Sequence, residues 1–537
     1  MNDAVKSFMK KGYLVSPEII NEINSEDETL ILATLNSLKE KPLVINENLL
    51  NLIRENKNLL QINWNEFDKS RVLFEKNKDK SLYYSFLTIL NPGEAQNLPE
   101  IPKENELDIQ EPLDTNNGNV IILKNYSDSL KKHDVQEFIG YFKLRYDKLK
   151  NILLSRKELQ NATSINRILG KIEKEKVTII GIVNDKRVTK NGNILLSLED
   201  PTGIINVVIS KNKYELFEIA NDTLLDEVIG ITGLAGDKII FCDGIYYPDI
   251  PINNELKKSQ NEEYALFTSD MQVGNKKFYE KNFLKFIEWV NGDYGNKEQK
   301  EIALKIKYLF IPGDIVDGVG VYPGQEEDLD ITDIYKQYDL FAEYLIKIRK
   351  DVKIIISPGN HDAMRIAEPQ PIFDKKILDK FNLMDNLYFT TNPSIVNIAS
   401  TKDFSGFNVL IYHGFSFPYI AENVDSIRRS GRLENVDSIM KYLLQRRHLA
   451  PSHTSTQYLP NAEEDPLLIE KIPDFFISGH LHKTKAANYR NITLMNCSCW
   501  LGITEDQERR GIKPDPCKAI LINLKTRDIK ILNFMDV

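Results

Sequence analysis

Five short apolar runs in the C-terminal half each lead directly into residues that can bind metal ions, and this pattern constrains the fold more than any other. The runs are 265–267, 308–311, 354–356, 409–411 and 475–477. They alternate with amphipathic patterns at 278–290 and 334–348, which predicts an α/β domain over 260–537. Because the carboxyl ends of buried parallel strands meet at one edge of a sheet, we expect the residues after these runs to share one crevice.

The residues after the runs supply carboxylate, amide and imidazole groups. They are Asp270 and Gln272, Asp314, Asn360 with His361 and Asp362, His413, and His480 with His482. A single Asp after a strand is usually a helix cap, and a single His is usually a hydrogen-bonded core residue. Four of the seven histidines follow these runs, however, which independent structural histidines would rarely do. The pattern predicts one metal centre, and mixed ligands without thiolate suit Mn²⁺, Fe²⁺ or Zn²⁺.

Residues 164–255 show a different pattern, with short β-rich runs separated by turn residues. The runs at 177–183, 194–198, 204–209 and 228–231 predict about five strands, for which an OB-fold barrel is the best candidate. OB-folds often bind single strands through aromatic side chains on one face. These strands hold almost none, which favours a scaffold or subunit-contact role over nucleic-acid binding.

The N-terminal third predicts three further segments. Residues 1–55 form a small helical interaction module, in which Ser25 and Glu28 fit a capping box. Residues 56–130 are rich in charged residues, Asn and Pro and predict a flexible linker. Apolar residues at helical spacing predict an amphipathic helix over 131–163. The chain is therefore expected to be a multidomain protein of α/β plus β class.

Composition narrows the class of protein. A chain of 537 residues with 42% hydrophobic content can bury more than one core. The net charge of −9 argues against a globally basic nucleic-acid coat but leaves room for a local basic groove. No apolar run approaches the roughly 18 residues of a membrane span, and four cysteines are too few for a secreted disulfide framework, so a cytoplasmic location is expected. Zinc binding through Cys497 and Cys499 is a minor alternative.

The order of the motifs resembles the calcineurin-like phosphoesterase superfamily. The motifs are Asp-x-Gln at 270, Gly-Asp-x-x-Asp at 313, Gly-Asn-His-Asp at 359, His-Gly at 413 and Gly-His-x-His at 479. The helix, barrel and phosphoesterase order also resembles the small-subunit family of archaeal family D DNA polymerases. The segments that carry this wider resemblance are 138–146, 446–451, 496–500 and 514–517.

The resemblance implies a β-sandwich flanked by helices, with an OB-fold barrel and a small N-terminal helical module. It also implies two divalent metal ions, with Mn²⁺ favoured and Fe²⁺ or Zn²⁺ as alternatives. Metal one would be held by Asp270, Gln272, Asp314 and His482. Metal two would be held by Asp314, Asn360, His413 and His480, so that Asp314 bridges the two.

Two further roles follow from the resemblance. His361 would be catalytic, either stabilising the transition state or protonating the leaving 3′-oxygen. Asp362 would orient His361 or His413, and a purely structural role fits equally well. The chain departs from the family motif at Gln272, where an amide stands in place of histidine, so metal site one is expected to be weaker.

The implied function is that of the small subunit of a two-subunit archaeal replicative DNA polymerase. It would act as a metal-dependent 3′–5′ exonuclease on DNA 3′ ends for proofreading and would assemble with the large catalytic subunit; sliding-clamp binding stays open. A catalytically silent scaffold subunit is the alternative that Gln272 raises. A free-standing phosphatase or cyclic-nucleotide phosphodiesterase is a third hypothesis, in which the barrel and the helical module would have no use.

Overall fold

The computed structural model describes residues 119–126, 134–169, 175–504, 507–508 and 513–535, with a few isolated positions before residue 119. The chain divides into two units, 1–113 and 114–537. In the first unit Leu14–Val15 (β1) pairs in parallel with Val44–Ile45 (β2). The rest of the predicted helical module, and the predicted linker up to residue 118, lie outside the described residues.

The second unit contains the elements on which the site depends. Its strands are Asn119–Lys124 (β3), Lys176–Val188 (β4), Ile194–Asp200 (β5), Gly203–Ile209 (β6), Val228–Gly236 (β7), Ile239–Tyr246 (β8), Tyr264–Phe267 (β9), Ile306–Pro312 (β10), Lys353–Ser357 (β11), Leu387–Phe389 (β12), Ser394–Ser400 (β13), Phe407–Ile411 (β14), Phe475–Ser478 (β15), Lys485–Tyr489 (β16), Ile492–Asn496 (β17), Lys518–Asn523 (β18) and Ile529–Asn533 (β19). Its described α-helices are Val135–Leu154 (α1), Ile165–Leu169 (α2), Tyr214–Asp222 (α3), Glu280–Val290 (α4), Lys297–Ala303 (α5), Ile334–Leu345 (α6), Lys375–Leu378 (α7), Phe417–Asn423 (α8), Asp425–Ser430 (α9) and Val436–Arg446 (α10). Among the described helices, none combines the length and the apolar character that crossing a membrane requires.

Two six-stranded mixed sheets form the phosphoesterase domain. The first has the order β12-β11-β10-β9-β18-β19 and the second β16-β17-β15-β14-β13-β3. Apolar side chains of both sheets, such as Phe267, Phe310 and Phe475, meet between them. Helices α4 and α6 cover the outer face of the first sheet, and α8 to α10 cover that of the second. This arrangement confirms the predicted calcineurin-like β-sandwich flanked by helices, and all five predicted apolar runs lie in strands.

The predicted barrel is also confirmed. Strands β4-β5-β6-β8-β7 close on themselves, with β6 and β8 parallel and α3 placed between β6 and β7. This is an OB-like topology. The fifth strand, β8, did not stand out in the sequence pattern, and it carries two aromatic residues. One of them, Phe241, is 52% exposed, so the expectation that the strands hold almost no aromatics needs this correction.

The helix predicted over 131–163 is shorter than expected. It begins after Asp134, whose side chain accepts hydrogen bonds from two backbone N–H groups of the first turn. It ends at Leu154, because both the backbone N–H and the hydroxyl of Ser155 turn back to the carbonyl of Ile152. Phe138, one of the apolar residues at helical spacing in this span, is 37% exposed. Instead the buried face of α1 includes the charged residue Arg145.

The last part of the predicted linker is a strand. Residues 119–124 form β3, which pairs antiparallel with β13 at the edge of the second sheet. The run from Val120 to Leu123 is apolar, and Val120 packs against the core between the two sheets. The linker prediction for 56–130 is therefore wrong over this stretch, where the backbone of β3 is paired with β13. The three apolar residues after Val120 remain 36–41% exposed, so backbone pairing and the packing of Val120, rather than burial of the whole run, account for this strand.

Buried charges join α1 to the phosphoesterase domain. The carboxylate of Asp465 accepts hydrogen bonds from the Tyr141 hydroxyl at 2.8 Å, Arg145 Nε at 3.0 Å and His448 Nε2 at 2.9 Å. Burial and the charge of Arg145 lower the pKa of His448 to about 4, so this imidazole is neutral and donates to Asp465. On its other side, α1 reaches the barrel through the Tyr146 hydroxyl, which donates to the carbonyl of Ile180.

A second buried pair joins the barrel to the phosphoesterase domain directly. Arg446 Nε donates to Glu227 Oε1 at 3.2 Å, and its guanidinium lies between the rings of Tyr247 and Tyr442, at 3.7 and 3.6 Å from their centroids. Glu227 precedes β7 of the barrel, whereas Arg446 ends α10. The two domains therefore pack together.

We predict that Arg145→Ala lowers the free energy of unfolding by about 3–5 kcal/mol, because it leaves the buried Asp465 carboxylate without its cation. The control is Lys148→Ala on the same helix, which removes the 2.9 Å ion pair to Glu470. Both partners of that pair are more than two-fifths exposed, so the control is expected to cost at most about 1 kcal/mol. Denaturant unfolding of both variants is the measurement, and equal losses would contradict the prediction.

Candidate metal centre

Five loops at the carboxyl ends of β9, β10, β11, β14 and β15 meet at one edge of the sandwich. The predicted ligand residues in these loops are Asp270, Gln272, Asp314, Asn360, His413, His480 and His482. The first sheet supplies four of them and the second sheet supplies the three histidines. Of the seven, Asn360 and His480 are half-buried and the others are buried. The structure thus gathers in one crevice residues that are up to 212 positions apart in sequence, counted from Asp270 to His482.

Asp314 connects these loops. Its Oδ1 accepts the backbone N–H of His361 at 2.8 Å, its own N–H donates to Asp362 Oδ2 at 3.0 Å, and its carbonyl accepts the N–H of Gln272 at 3.0 Å. Burial alone would raise the pKa of Asp314, but the charge of His413 and then of His361 lowers it well below the usual range. Asp314 is therefore an ionised carboxylate at the centre of the site.

The residues proposed for metal two are brought together closely. Asp314 Oδ2 lies 3.2 Å and Asn360 Oδ1 lies 3.0 Å from His413 Nε2. One ligand atom each of Asp314, His413 and His480 lies within 4.8 Å of the others. Within the described part of the chain, no other group of three His, Cys, Asp or Glu residues has this geometry, so the minor zinc hypothesis for Cys497 and Cys499 gains no support.

The protonation of His413 fits a cation at this point. Its Nδ1 lies 2.7 Å from the carbonyl oxygen of Pro312, which can only accept, so Nδ1 carries a proton. Its Nε2 then faces two oxygen acceptors, Asp314 and Asn360. Burial opposes a charge here, but the Asp314 carboxylate raises the pKa of His413 to about 9, so the surroundings of Nε2 favour a positive charge. Burial and the charge of His413 lower the pKa of His480 to about 3, so His480 is in the neutral form that binds metal.

The residues proposed for metal one are less completely assembled. Asp270 Oδ1 lies 3.3 Å from His482 Nε2, and the Asp270 carboxylate also accepts the backbone N–H of His480. Gln272 joins the group through its backbone bond to Asp314. Its side-chain Oε1 is buried and has no hydrogen-bond partner. Since an unpartnered buried amide oxygen is costly, this atom fits a role as a neutral oxygen ligand.

Backbone strain marks the same residues. Asp270, Gln272, Asp314, His480 and His482 have φ angles of 52°, 49°, 52°, 69° and 54°. This left-handed region is uncommon for residues other than glycine and costs roughly 1–3 kcal/mol for each. Such conformations persist where the surrounding structure imposes them and where they aim side chains at a site.

Two glycines allow the loops to approach each other closely. A Cβ at Gly359 would lie 2.2 Å from Asp314 Oδ1, and one at Gly479 would lie 2.4 Å from Asp270 Oδ2. Neither carboxylate can give way without leaving the centre. The glycines of the Gly-Asn-His-Asp and Gly-His-x-His motifs are therefore required by the packing of the site.

The hydrogen bonds of Asp362 bear on the two roles that were left open for it. Its Oδ2 accepts the backbone N–H groups of Asp314 at 3.0 Å and Gly359 at 2.8 Å, and its Oδ1 accepts the hydroxyl of Tyr338 at 3.3 Å. Its described hydrogen bonds do not include the ring of His361 or His413. Asp362 thus fixes the loops after β10 and β11, which is the structural alternative. Burial and the Asp314 carboxylate raise its pKa to about 7.

Three supporting residues were not singled out from the sequence. The carbonyl of Asp317 lies 2.8 Å from His361 Nδ1, Tyr338 bonds Asp362, and Gln507 Nε2 lies 2.8 Å from His482 Nδ1. Asp317 ends the Gly-Asp-x-x-Asp motif, so its position was a usable signal. Tyr338 on α6 and Gln507 carry no such signal, because their contacts depend on tertiary packing.

Comparison with known proteins adds a family relationship. The family model for the B component of DNA polymerases alpha and epsilon matches residues 266–486, a range that contains all seven predicted ligands. The DNA polymerase II small subunit of Methanothermobacter thermautotrophicus is 36% identical over 84% of this chain and 88% of its own length. The DNA polymerase II small subunit of Archaeoglobus fulgidus is 38% identical over 82% of this chain and 85% of its own length.

Other matches are more partial. The DNA polymerase II small subunit of Methanocaldococcus jannaschii is 38% identical over 73% of this chain and 64% of its own length. A solved structure described as a novel archaeal phosphodiesterase covers 50% of this chain and 98% of its own at 12% identity. Its TM-score of 0.25 is too low to bear on the fold, which rests on the sheet topology above.

We predict that Gln272→His strengthens metal binding at the centre, because an imidazole nitrogen donates more strongly than an amide oxygen to Mn²⁺. In Gln272→His, a lower concentration of Mn²⁺ should suffice for half-maximal metal binding and for half-maximal DNA cleavage. In Gln272→Ala, these two concentrations should rise only modestly. Titration of bound Mn²⁺ by electron paramagnetic resonance is the measurement. The control is Gln160→His, at an exposed position far from the ligand residues in sequence, which measures adventitious binding of Mn²⁺ to a new histidine.

The number of Mn²⁺ ions bound per chain tests whether the centre holds two metal ions. Two Mn²⁺ ions per chain are expected at saturation. One ion per chain, together with unchanged metal dependence in Gln272→His, would refute the two-metal site.

Proposed function

The chain belongs to the small-subunit family of archaeal DNA polymerase II, the family D enzyme, and from this premise we propose that it is a metal-dependent 3′–5′ exonuclease. Its task would be to remove mispaired nucleotides from DNA 3′ ends for a large catalytic subunit. The family membership rests on relatives that this chain matches over more than four-fifths of both lengths. A free-standing phosphatase is set aside, since this match extends well beyond the range of the phosphoesterase motifs.

The convergence of Asp314, Asn360, His413 and His480 is the observation that carries the proposal. Two acceptor oxygens face one imidazole nitrogen within 3.2 Å, a neutral second imidazole lies nearby, and a buried amide oxygen has no partner. A protein used only as a scaffold gains nothing from this strained and unsatisfied arrangement.

The ligand residues would hold two divalent cations, which we propose are Mn²⁺, with Fe²⁺ and Zn²⁺ as alternatives. The first set is Asp270, Gln272, Asp314 and His482, and the second is Asp314, Asn360, His413 and His480. When bound, such ions lower the pKa of water and neutralise charge on phosphate oxygens. The chain itself orients these groups before substrate arrives, through the backbone bonds to Asp314 and Asp270.

His361 is the proposed catalytic residue. Its backbone N–H is fixed to Asp314, and its Nδ1 lies 2.8 Å from the carbonyl oxygen of Asp317, so Nδ1 carries a proton and Nε2 is left for the substrate. In this step His361 is protonated at both ring nitrogens. The water oxygen bonds to phosphorus and releases one proton to solvent, the bond from phosphorus to the 3′-oxygen breaks, and His361 gives its Nε2 proton to that 3′-oxygen. The imidazole then regains a proton from solvent. The products are a nucleoside 5′-monophosphate and a DNA strand with a new 3′-hydroxyl.

The proposed partners are the large catalytic subunit and DNA 3′ ends, so the protein would act on genomic DNA in the cytoplasm. The relatives are named small subunits, which supports a larger partner. The barrel and the phosphoesterase domain are joined by the Arg446–Glu227 pair and would present one joint surface.

A catalytically silent scaffold subunit is the second candidate. One observation favours it, namely the amide of Gln272 at a position where the phosphoesterase motif has histidine. The remaining ligands of both sets are present and lie in the crevice, so we rank it second.

We predict that Asp314→Ala and His361→Ala both abolish cleavage but by different routes. Loss of Asp314 removes a ligand from both metal sets, so Mn²⁺ binding should fall with activity. His361→Ala should keep its metal ions and lose about 100-fold or more in the rate of cleavage. The measurement is degradation of a mismatched primer with Mn²⁺, with and without the large subunit. The control is His453→Ala, which changes an exposed histidine away from the centre and should leave cleavage as in the parent protein. Unchanged cleavage by Asp314→Ala or His361→Ala would refute the mechanism.

We also predict that a chain lacking residues 1–60 retains both cleavage and binding to the large subunit. The catalytic residues and the joint surface all lie in the unit that begins at residue 114. Co-purification and sedimentation of the mixed subunits measure complex formation. Arg446→Ala in the full-length chain should weaken the complex, because it loosens the barrel from the phosphoesterase domain. Failure of the truncated chain to bind would overturn this division of roles.

A further inference from the structure

Two histidines of the metal centre each have an aromatic neighbour. The ring centroid of Phe415 lies 5.8 Å from that of His480, at an interplanar angle of 47°. The ring centroid of Tyr322 lies 6.4 Å from that of His361, at 64°. Both aromatic residues are half-buried, whereas the aromatic residues of the core, such as Phe310, are fully buried. Each of the two residues thus keeps part of its surface accessible beside the centre.

The backbone holds Phe415 in this place. Gly414, between His413 and Phe415, has a φ of 120°, and a Cβ there would lie 3.1 Å from the ring of Phe417 and 3.4 Å from His480 Cβ. A larger residue at position 414 would crowd the Phe417 ring in the same loop and would be strained at this φ, whereas its contact with His480 would be an ordinary one. The glycine therefore allows the turn after β14 that places the Phe415 ring next to His480.

Tyr322 is fixed by a loop that also supports His361. Its hydroxyl donates to Asp328 Oδ2 at 2.8 Å. The buried side chain of Gln325 bonds both the N–H of Val321 and the carbonyl of Asp317, and that carbonyl also contacts His361 Nδ1. The position of the Tyr322 ring is consequently tied to the position of the proposed general acid.

We propose that Phe415 and Tyr322 form a nucleobase subsite, which accepts unstacked bases next to the bond to be cleaved. This inference rests on the exonuclease function proposed above. A phosphodiester in the crevice carries its two nucleosides within a few ångströms of these rings, and nucleobases stack on aromatic faces with little regard to sequence. Bases inside a duplex are already stacked and paired, so the subsite selects single-stranded or frayed 3′ ends. It would thereby favour mispaired termini over paired ones.

The test compares two 5′-fluorescein-labelled single-stranded oligonucleotides that differ only in the last nucleotide. One ends in a normal nucleotide and the other in an abasic nucleotide, which keeps the phosphodiester but has no base to stack. The parent protein is expected to cleave the normal end about tenfold faster in kcat/KM, the size of effect that one base stack supplies. Phe415→Leu and Tyr322→Leu should bring the ratio towards one, while Tyr322→Phe, which keeps the ring, should preserve it.

Two other aromatic residues serve as matched controls. Tyr294 is 43% exposed outside the site, and Phe241 is 52% exposed on the barrel. Tyr294→Leu and Phe241→Leu are expected to keep the parent ratio. If Phe241→Leu removes base dependence and the Phe415 and Tyr322 variants do not, the bases bind to the barrel and the proposal is overturned.

Binding in EDTA, followed by fluorescence anisotropy, separates the subsite from the nuclease. The parent protein should bind the normal end about tenfold more tightly than the abasic end, and Phe415→Leu should remove that preference. If the parent protein cleaves no DNA but keeps this binding preference, the exonuclease proposal fails and the subsite stands. Equal affinity for both ends in the parent protein would overturn the subsite whether or not cleavage occurs.

Discussion

The buried carboxylate of Asp314 is the interaction on which the arrangement of the site depends. An ionised carboxylate away from water must be surrounded by donors or cations, and Asp314 has partners from both sheets. His361 donates a backbone N–H to it from the loop after β11, while His413 approaches from the end of β14. The two sheets are thus tied at one edge, and a shift of either would leave a buried charge without its partners.

This constraint explains why the site tolerates strained backbone. The left-handed residues, among them Asp270 and His480, cost free energy locally. They are bonded to one another: the Asp270 carboxylate accepts the N–H of His480, and the carbonyl of Asp314 accepts that of Gln272. The well-packed sandwich behind them offsets the cost, since its central strands β9 and β10 are almost entirely buried on both faces. The result is a crevice in which the side chains proposed as ligands are held in place by the fold itself.

Local signals made most of this predictable from the sequence. The apolar runs at 265–267 and 475–477 identify their strands by themselves, and the polar residues after them identify the site, because the ends of parallel strands converge in any such sheet. Long-range pairing left no comparable signal. Strand β3 joins a sheet partner more than 270 residues away, and the role of Asp362 depends on Tyr338, on a helix 24 residues earlier in the chain. Their partners become visible only in the folded chain.

The segments 138–146 and 446–451 lie outside the candidate metal centre and contribute to the packing between domains. Arg145 and Arg446, both nearly fully buried, bind Asp465 and Glu227 and join three elements: α1, the barrel and the sandwich. Buried ion pairs contribute little net stability compared with apolar packing, but they penalise any arrangement that separates the partners. They therefore favour one relative placement of the three elements. Under the function proposed above, in which the protein cleaves a DNA 3′ end and binds a larger subunit, this fixed placement would hold the surface shared by the barrel and the phosphoesterase domain at a constant position relative to the crevice.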